Sequence, residues 1–197
     1  MVINMYKPII LDYNYLIPYI SPDNLYNHYL IYLKDVNMLN KLLQENNYDY
    51  KYTKEQLLKN INIFNLNVRG YIEYYLSSTI NHELYFNSLS NKYNNIPTGK
   101  LLNDINKYYG SYNNFKNEFK KSALNLKGSG YTYLVKDDDG NLKIINTSNE
   151  DNPISYGLIP IFNIDLWEHA YYLDYKTKES YIDVFFKIID FSKIKYT

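Results

Sequence analysis

Hydrophobic periodicity in this chain changes from helical to strand-like at Gly130, and that change limits what the chain can fold into. From Ser21 up to that point apolar side chains recur mostly at helical spacing. Beyond it, Gly130-Tyr131-Thr132-Tyr133-Leu134-Val135-Lys136 and Leu142-Lys143-Ile144-Ile145-Asn146 flank Asp137-Asp138-Asp139-Gly140. Two strand-forming runs around a polar turn that ends in glycine make a β-hairpin. Ile159 to Asp165 supplies a third strand, and Tyr181 to Ile189 a closing helix.

The first half reads as helices. Residues 1 to 20 mix Pro, Tyr and Ile without a helical period and predict an extended arm. Ser21-Pro22-Asp23 starts a helix: a hydroxyl cap, a proline where no N–H is missed, and an acid near the positive end of the dipole. Leu25, His28, Tyr29, Tyr32, Leu33 and Val36 follow at helical spacing. Asn46 to Tyr52 is a polar loop, and Thr53-Lys54-Glu55-Gln56 is a capping box that opens a short helix through Leu58. A long periodic segment runs from Ile63 to Leu89 with Gly70 as its weak point. On it, His82 shares a face with Ser78, Tyr85, Phe86 and Leu89. Asn91 to Gly99, polar and holding Pro97, is the hinge, which divides the chain into residues 1–92 and 93–197. Thr98 and Ser111 cap two further helices, about 99–109 and 112–125. The expected class is α+β: an N-terminal helical hairpin plus a C-terminal α/β half, whose three-stranded antiparallel sheet is flanked by helices.

Composition removes several functions. Formal net charge is zero and Arg69 is the only arginine, so strong binding to nucleic acid, which needs clustered cations against phosphates, is disfavoured. There is no cysteine, hence no disulfide framework, thiolate metal site or thiol nucleophile. No apolar run has the length of a membrane span, and residues 1–19 lack the basic lead of a signal peptide. A cytoplasmic protein that binds neither membrane nor nucleic acid is the expectation. The 26 tyrosines are spread through every segment, which reads as coding bias.

Chemistry concentrates in Asp165-Leu166-Trp167-Glu168-His169-Ala170-Tyr171-Tyr172. A carboxylate and an imidazole four residues apart converge on one metal ion if the chain turns between them, and Trp167 would wall that site from water. The string resembles the signature of the iron/manganese superoxide dismutases, Asp-x-Trp-Glu-His followed by a small residue and two aromatics. Asn81-His82, Pro97-Thr98-Gly99-Lys100, Gly110-Ser111-Tyr112 and Gly128-Ser129-Gly130 extend the resemblance over nearly the whole chain. It implies the same two-part architecture and places imidazole ligands at His28, His82 and His169, which are all the histidines present. Asp165 takes the carboxylate position. Three neutral imidazoles and one carboxylate suit both the divalent and the trivalent states of iron or manganese. The implied activity is disproportionation of superoxide to dioxygen and hydrogen peroxide, with one iron ion per subunit and manganese as the alternative. The resemblance also implies a homodimer with Glu168, His169 and Tyr172 near the interface, Glu168 bonding to the ligand histidine of the other subunit.

Several supporting positions depart from the family. Its gateway tyrosine is Val36 here. A histidine four residues after the first ligand is Tyr32, expected to hydrogen-bond Tyr172. The glutamine that bonds metal-bound solvent has two family positions, occupied here by Ser78 (iron type) and Glu150 (manganese type). Tyr131 replaces a hairpin tryptophan. Lys176 replaces the arginine that attracts superoxide, keeping its charge without its fork. Tyr85 is retained as in iron-type members. Tyr32, Tyr85, Glu150 and Lys176 are therefore the expected catalytic set. The losses at Val36 and Ser78 motivate the alternative, a catalytically weakened structural or interaction protein on the same fold.

Overall fold

The computed structural model describes residues 5–92 and 94–197. The first helix, α1 (Pro22–Glu45), begins where the cap predicts, with Ser21 accepting from the Asn24 N–H. Its buried residues, among them Leu25, His28, Tyr32, Val36, Leu39 and Leu43, fall three and four apart, so one stripe faces inward. Helix α2 (Lys54–Lys59) carries both bonds of the Thr53–Gln56 capping box. Helix α3 (Leu66–Asn87) runs unbroken through Gly70 and packs along α1. It starts three residues later than its period suggests. Ile61–Ile63 forms a separate 3-10 turn, and Phe64 and Asn65 are extended.

Residues 1–4 of the expected arm lie outside the described residues, and the rest is extended only in part. From Asp12 it coils into successive turns, with the Tyr15, Ile17 and Tyr19 N–H groups bonding back to Asp12, Asn14 and Leu16. This tucks Leu16 and Ile20 into the core, and their burial offsets the entropy of ordering the arm.

Helices α4 (Gly99–Tyr109) and α5 (Tyr112–Asn125) have the expected bounds. Ser111 caps α5 through the Asn114 N–H, whereas Thr98 makes no side-chain cap bond. Strands β1 (Gly130–Lys136), β2 (Leu142–Ser148) and β3 (Ile159–Asp165) form an antiparallel sheet in the order β2-β1-β3. The closing helix, α6 (Lys178–Ile188), starts three residues earlier than expected because Thr177 caps it.

β1 lies in the middle of the sheet, and every residue from Gly130 to Val135 is buried. Its register sets Tyr131 opposite Asp165. Between Leu134 and Val135 the pairing with β3 slips past Ile161 to Pro160, a bulge of the kind proline tolerates because it has no N–H to pair. Phe115 and Phe119 from α5, Phe162 from β3, and Phe185 and Phe186 from α6 interlock beneath the sheet. The Phe119 and Phe162 rings are 5.5 Å apart. Such pairs add about 0.5–1.5 kcal/mol beyond their burial. The largest core cluster also takes Leu16, Leu25, Tyr32, Val36 and Tyr85, so it is continuous across both halves.

Candidate metal centre

Four elements deliver one donor each. His28 comes from α1 and His82 from α3, Asp165 ends β3, and His169 sits in the 3-10 turn Glu168–Ala170. Their ligand atoms all lie within 4.8 Å of one another. Asp165 Oδ2 is the shared point, with Nε2 of His28 at 3.0 Å, of His169 at 3.4 Å and of His82 at 3.7 Å. All but His169 are fully buried. The chain turn postulated between Asp165 and His169 exists: the Trp167 N–H donates to Asp165 Oδ1 at 2.9 Å, leaving Oδ2 for the imidazoles. The Trp167 ring stacks on His169 at 5.6 Å and covers that side.

The tautomer of His82 follows from its neighbours. Its Nδ1 is 2.8 Å from the Ser78 carbonyl oxygen, which only accepts, so Nδ1 carries the proton and Nε2 the lone pair. That Nε2 is buried and has no hydrogen-bond partner. A buried lone pair without a donor is costly in a native fold, and a cation at the cluster is the group that satisfies it. Burial and the neighbouring His28 push the His82 pKa down to about 3, and burial also lowers that of His28 against the pull of Asp165. For Asp165, burial works upward, but the His169 and His28 imidazoles prevail and hold the carboxyl well below its ordinary range. A neutral imidazole at His82 and an ionised carboxylate at Asp165 are the protonation states that ligation needs. The donor set fits a single iron or manganese ion.

The supporting residues divide. Tyr85 is buried, its hydroxyl 2.7 Å from that of Tyr181 and its ring 5.3 Å from that of His28. Glu150 is buried beside the centre, where its Oε2 accepts from the Tyr131 hydroxyl at 3.0 Å and from Asn81 Nδ2 at 3.4 Å. Burial, reinforced by the Asp165 charge, raises its pKa to about 8. Tyr32 does not bond Tyr172, which is half exposed. Its hydroxyl instead accepts from the Ile9 N–H and donates to Glu83, each at 2.8 Å, and Glu83 is held in turn by Lys54. The returning arm and α3 supply these nearer partners. Lys176 is exposed, with Nζ donating to the Tyr172 carbonyl at 3.1 Å and sitting over its ring. Val36 is packed in the core.

Two groups escaped the sequence reading. Asp35 is buried, and its Oδ2 accepts from Ser78 Oγ at 2.6 Å. Its signal was an acid seven residues after His28, on the same α1 face as Tyr32. Asn81 ties the halves together: its Oδ1 accepts from Tyr133 (2.7 Å) and Asn152 (2.6 Å), and its carbonyl accepts from Asn163 (3.0 Å). Only the hint of its place beside His82 was available.

Comparison with known proteins agrees with this geometry. Residues 97–197 match the family profile described as iron/manganese superoxide dismutases, C-terminal domain. A protein named iron superoxide dismutase from Legionella pneumophila is 35% identical over 177 residues, 89% of this chain and 88% of that protein. The chain belongs to the iron/manganese superoxide dismutase family. Another relative of the same printed name, from Bacteroides fragilis, is 36% identical over 185 residues, 92% of each chain. One named manganese superoxide dismutase, from Listeria ivanovii, is 35% identical over 140 residues, 71% of this chain and 69% of that protein. No helix among the described residues is long and apolar enough to cross a membrane.

Proposed function

We infer that this protein disproportionates superoxide, taking two superoxide ions and two protons to one dioxygen and one hydrogen peroxide. The convergence of three imidazole Nε2 atoms on Asp165 Oδ2, with the buried His82 Nε2 left unpartnered, carries this reading. His28, His82, Asp165 and His169 hold the ion, iron in preference to manganese. The bound ion supplies one-electron redox chemistry that neither imidazole nor carboxylate has.

The chain's own residues set the conditions. Trp167 orients Asp165 through its backbone N–H and shields His169 with its ring. Glu150 stands at the manganese-type glutamine position. With its pKa near 8 in the metal-free protein it keeps a proton at neutral pH, and a protonated carboxyl donates a hydrogen bond as an amide would. Tyr85 braces His28 through ring packing. Lys176 contributes positive charge at the surface for attracting the anion. Glu168, exposed beside His169, bonds His169 of a second copy in a homodimer, with Tyr172 at the same interface. The boundary between the halves falls at residues 92 and 93.

Elemental analysis of purified protein together with a superoxide-decay assay tests the reading. About one iron or manganese per chain with rapid decay is expected. The weakened-scaffold alternative draws on the hydroxyl-free Val36 at the gateway position and on Ser78 in place of the iron-type glutamine, and predicts metal without decay. An empty site in both the iron- and the manganese-grown protein would overturn the enzyme reading. Light scattering on wild type and Glu168→Ala tests the dimer: equal masses would remove that role for Glu168.

A further inference from the structure

Ser78 Oγ lies between two groups that compete for it. It is 2.6 Å from Asp35 Oδ2 and 3.2 Å from His82 Nδ1. A serine hydroxyl owns a single proton, and the shorter contact, to a carboxylate, takes it. We propose that Asp35 is a positioning residue for the metal centre, acting through Ser78 to hold His82 in the tautomer that presents Nε2 to the ion. The proposal rests on the reading of His82 as a ligand.

With its proton committed to Asp35, Ser78 Oγ offers His82 only lone pairs. The Nδ1–H then has two acceptors, the Ser78 carbonyl and the Ser78 hydroxyl. Without Asp35 the hydroxyl is free to turn and donate to Nδ1, which favours the opposite tautomer. In the metal-free protein that tautomer would point its Nε2–H toward the Asp165 charge, whose Oδ2 is 3.7 Å away. It would place a proton where the ion must bind. Asp35 removes the competing donor at its source. The pair is shielded from water, since Ser78 is fully buried and Asp35 nearly so, and a hydrogen bond to a carboxylate is stronger there than in solvent.

The chain has only three histidines, so two-bond proton–nitrogen spectra of the metal-free, nitrogen-15-labelled protein report each tautomer separately. The His82 signals are identified by their loss in His82→Gln. Wild type is expected to show His82 protonated at Nδ1 alone. Asp35→Ala should show a mixture with the Nε2–H form, and iron retention against a chelator should weaken on the order of tenfold, the lower end for a group supporting a metal ligand. Asp35→Leu, close in shape and lacking an acceptor, gives the same readout if the alanine variant does not fold. Ser78→Ala should keep the wild-type tautomer, and adding Asp35→Ala to it should change nothing further, because the intermediary hydroxyl is gone. A pure Nδ1–H signal in both Asp35 variants would overturn the proposal, as would an Asp35 effect that persists in the Ser78→Ala background. The tautomer is read without metal, so this outcome is separate from whether wild type takes up iron or manganese.

Discussion

Burial sets the chemistry of both His82 Nε2 and Glu150. His82→Gln removes the lone pair that has no other partner while keeping similar volume. Metal content after dialysis should fall from about one ion per chain to background, with the far-ultraviolet spectrum unchanged, because outer contacts cannot replace a lost ligand. Glu150 gives a pH signature in the metal-free protein. Its folded pKa of about 8 lies above the ordinary 4.5, so between those values the folded chain holds a proton that the unfolded chain has released. Stability attributable to Glu150 is full below pH 4.5 and declines as pH rises to 8, by on the order of 1.4 kcal/mol per unit at most. Glu150→Gln has no such proton. Urea midpoints should therefore show the variant gaining on wild type from pH 5 to pH 8, and parallel curves would contradict the burial argument.

Among the secondary-structure elements, two glycines play opposite parts. Gly70 sits inside α3, and a Cβ built there would meet nothing within 4 Å. Gly70→Ala should stabilise the protein by about 0.5–1 kcal/mol by lowering the entropy lost on folding, visible as a raised thermal midpoint. Gly130, at the entry to the hairpin, has φ +152, and a Cβ there would lie 2.1 Å from the Thr147 carbonyl oxygen. Gly130→Ala should therefore destabilise by more than about 3 kcal/mol, from backbone strain and lost register together. Because Tyr131 pairs with Asp165 one residue further on, the same variant should also lose metal. Retained metal with a wild-type midpoint would show that β1 does not hold the centre in place.

Across the whole molecule, the ion joins elements that are far apart in the chain. His28 and His169 are separated by 141 positions (169 − 28), yet their rings lie 4.8 Å apart. An ion that binds only the folded form adds stability by mass action, about 4 kcal/mol when free metal is a thousand times its dissociation constant. Stripping the metal with a chelator should lower the thermal midpoint by several degrees, and adding back iron or manganese should restore it. No shift would mean that the four donors hold nothing in solution. The polar core points the same way. Asn81, Tyr131, Tyr133, Asn152 and Asn163 are buried and bonded among α3, the sheet and the loop after β2. The network rigidifies the ground beneath His82, with Asn163 Oδ1 the one buried atom among these side chains left without a partner.

Helix caps, strand periodicity and the Asp165–His169 spacing were legible in the sequence because each is a local property, decided within a few residues by backbone sterics and hydrogen bonding. The four candidate donors were legible because the Asp165–His169 string resembles the family signature, and His28 and His82 fall where that family places its other imidazoles. Partner choice for buried polar groups was not, since it depends on which side chains the packed elements bring within about 3 Å. Tyr32 illustrates this: its hydroxyl was expected at Tyr172, and the folded arm and Glu83 claimed it first. Asp35 illustrates it again, an ordinary helix acid until α3 sets Ser78 against it. Residue order alone settled which donors this protein has. Tertiary packing decided which lone pairs remain open for an ion, because only packing excludes the water that would otherwise occupy them.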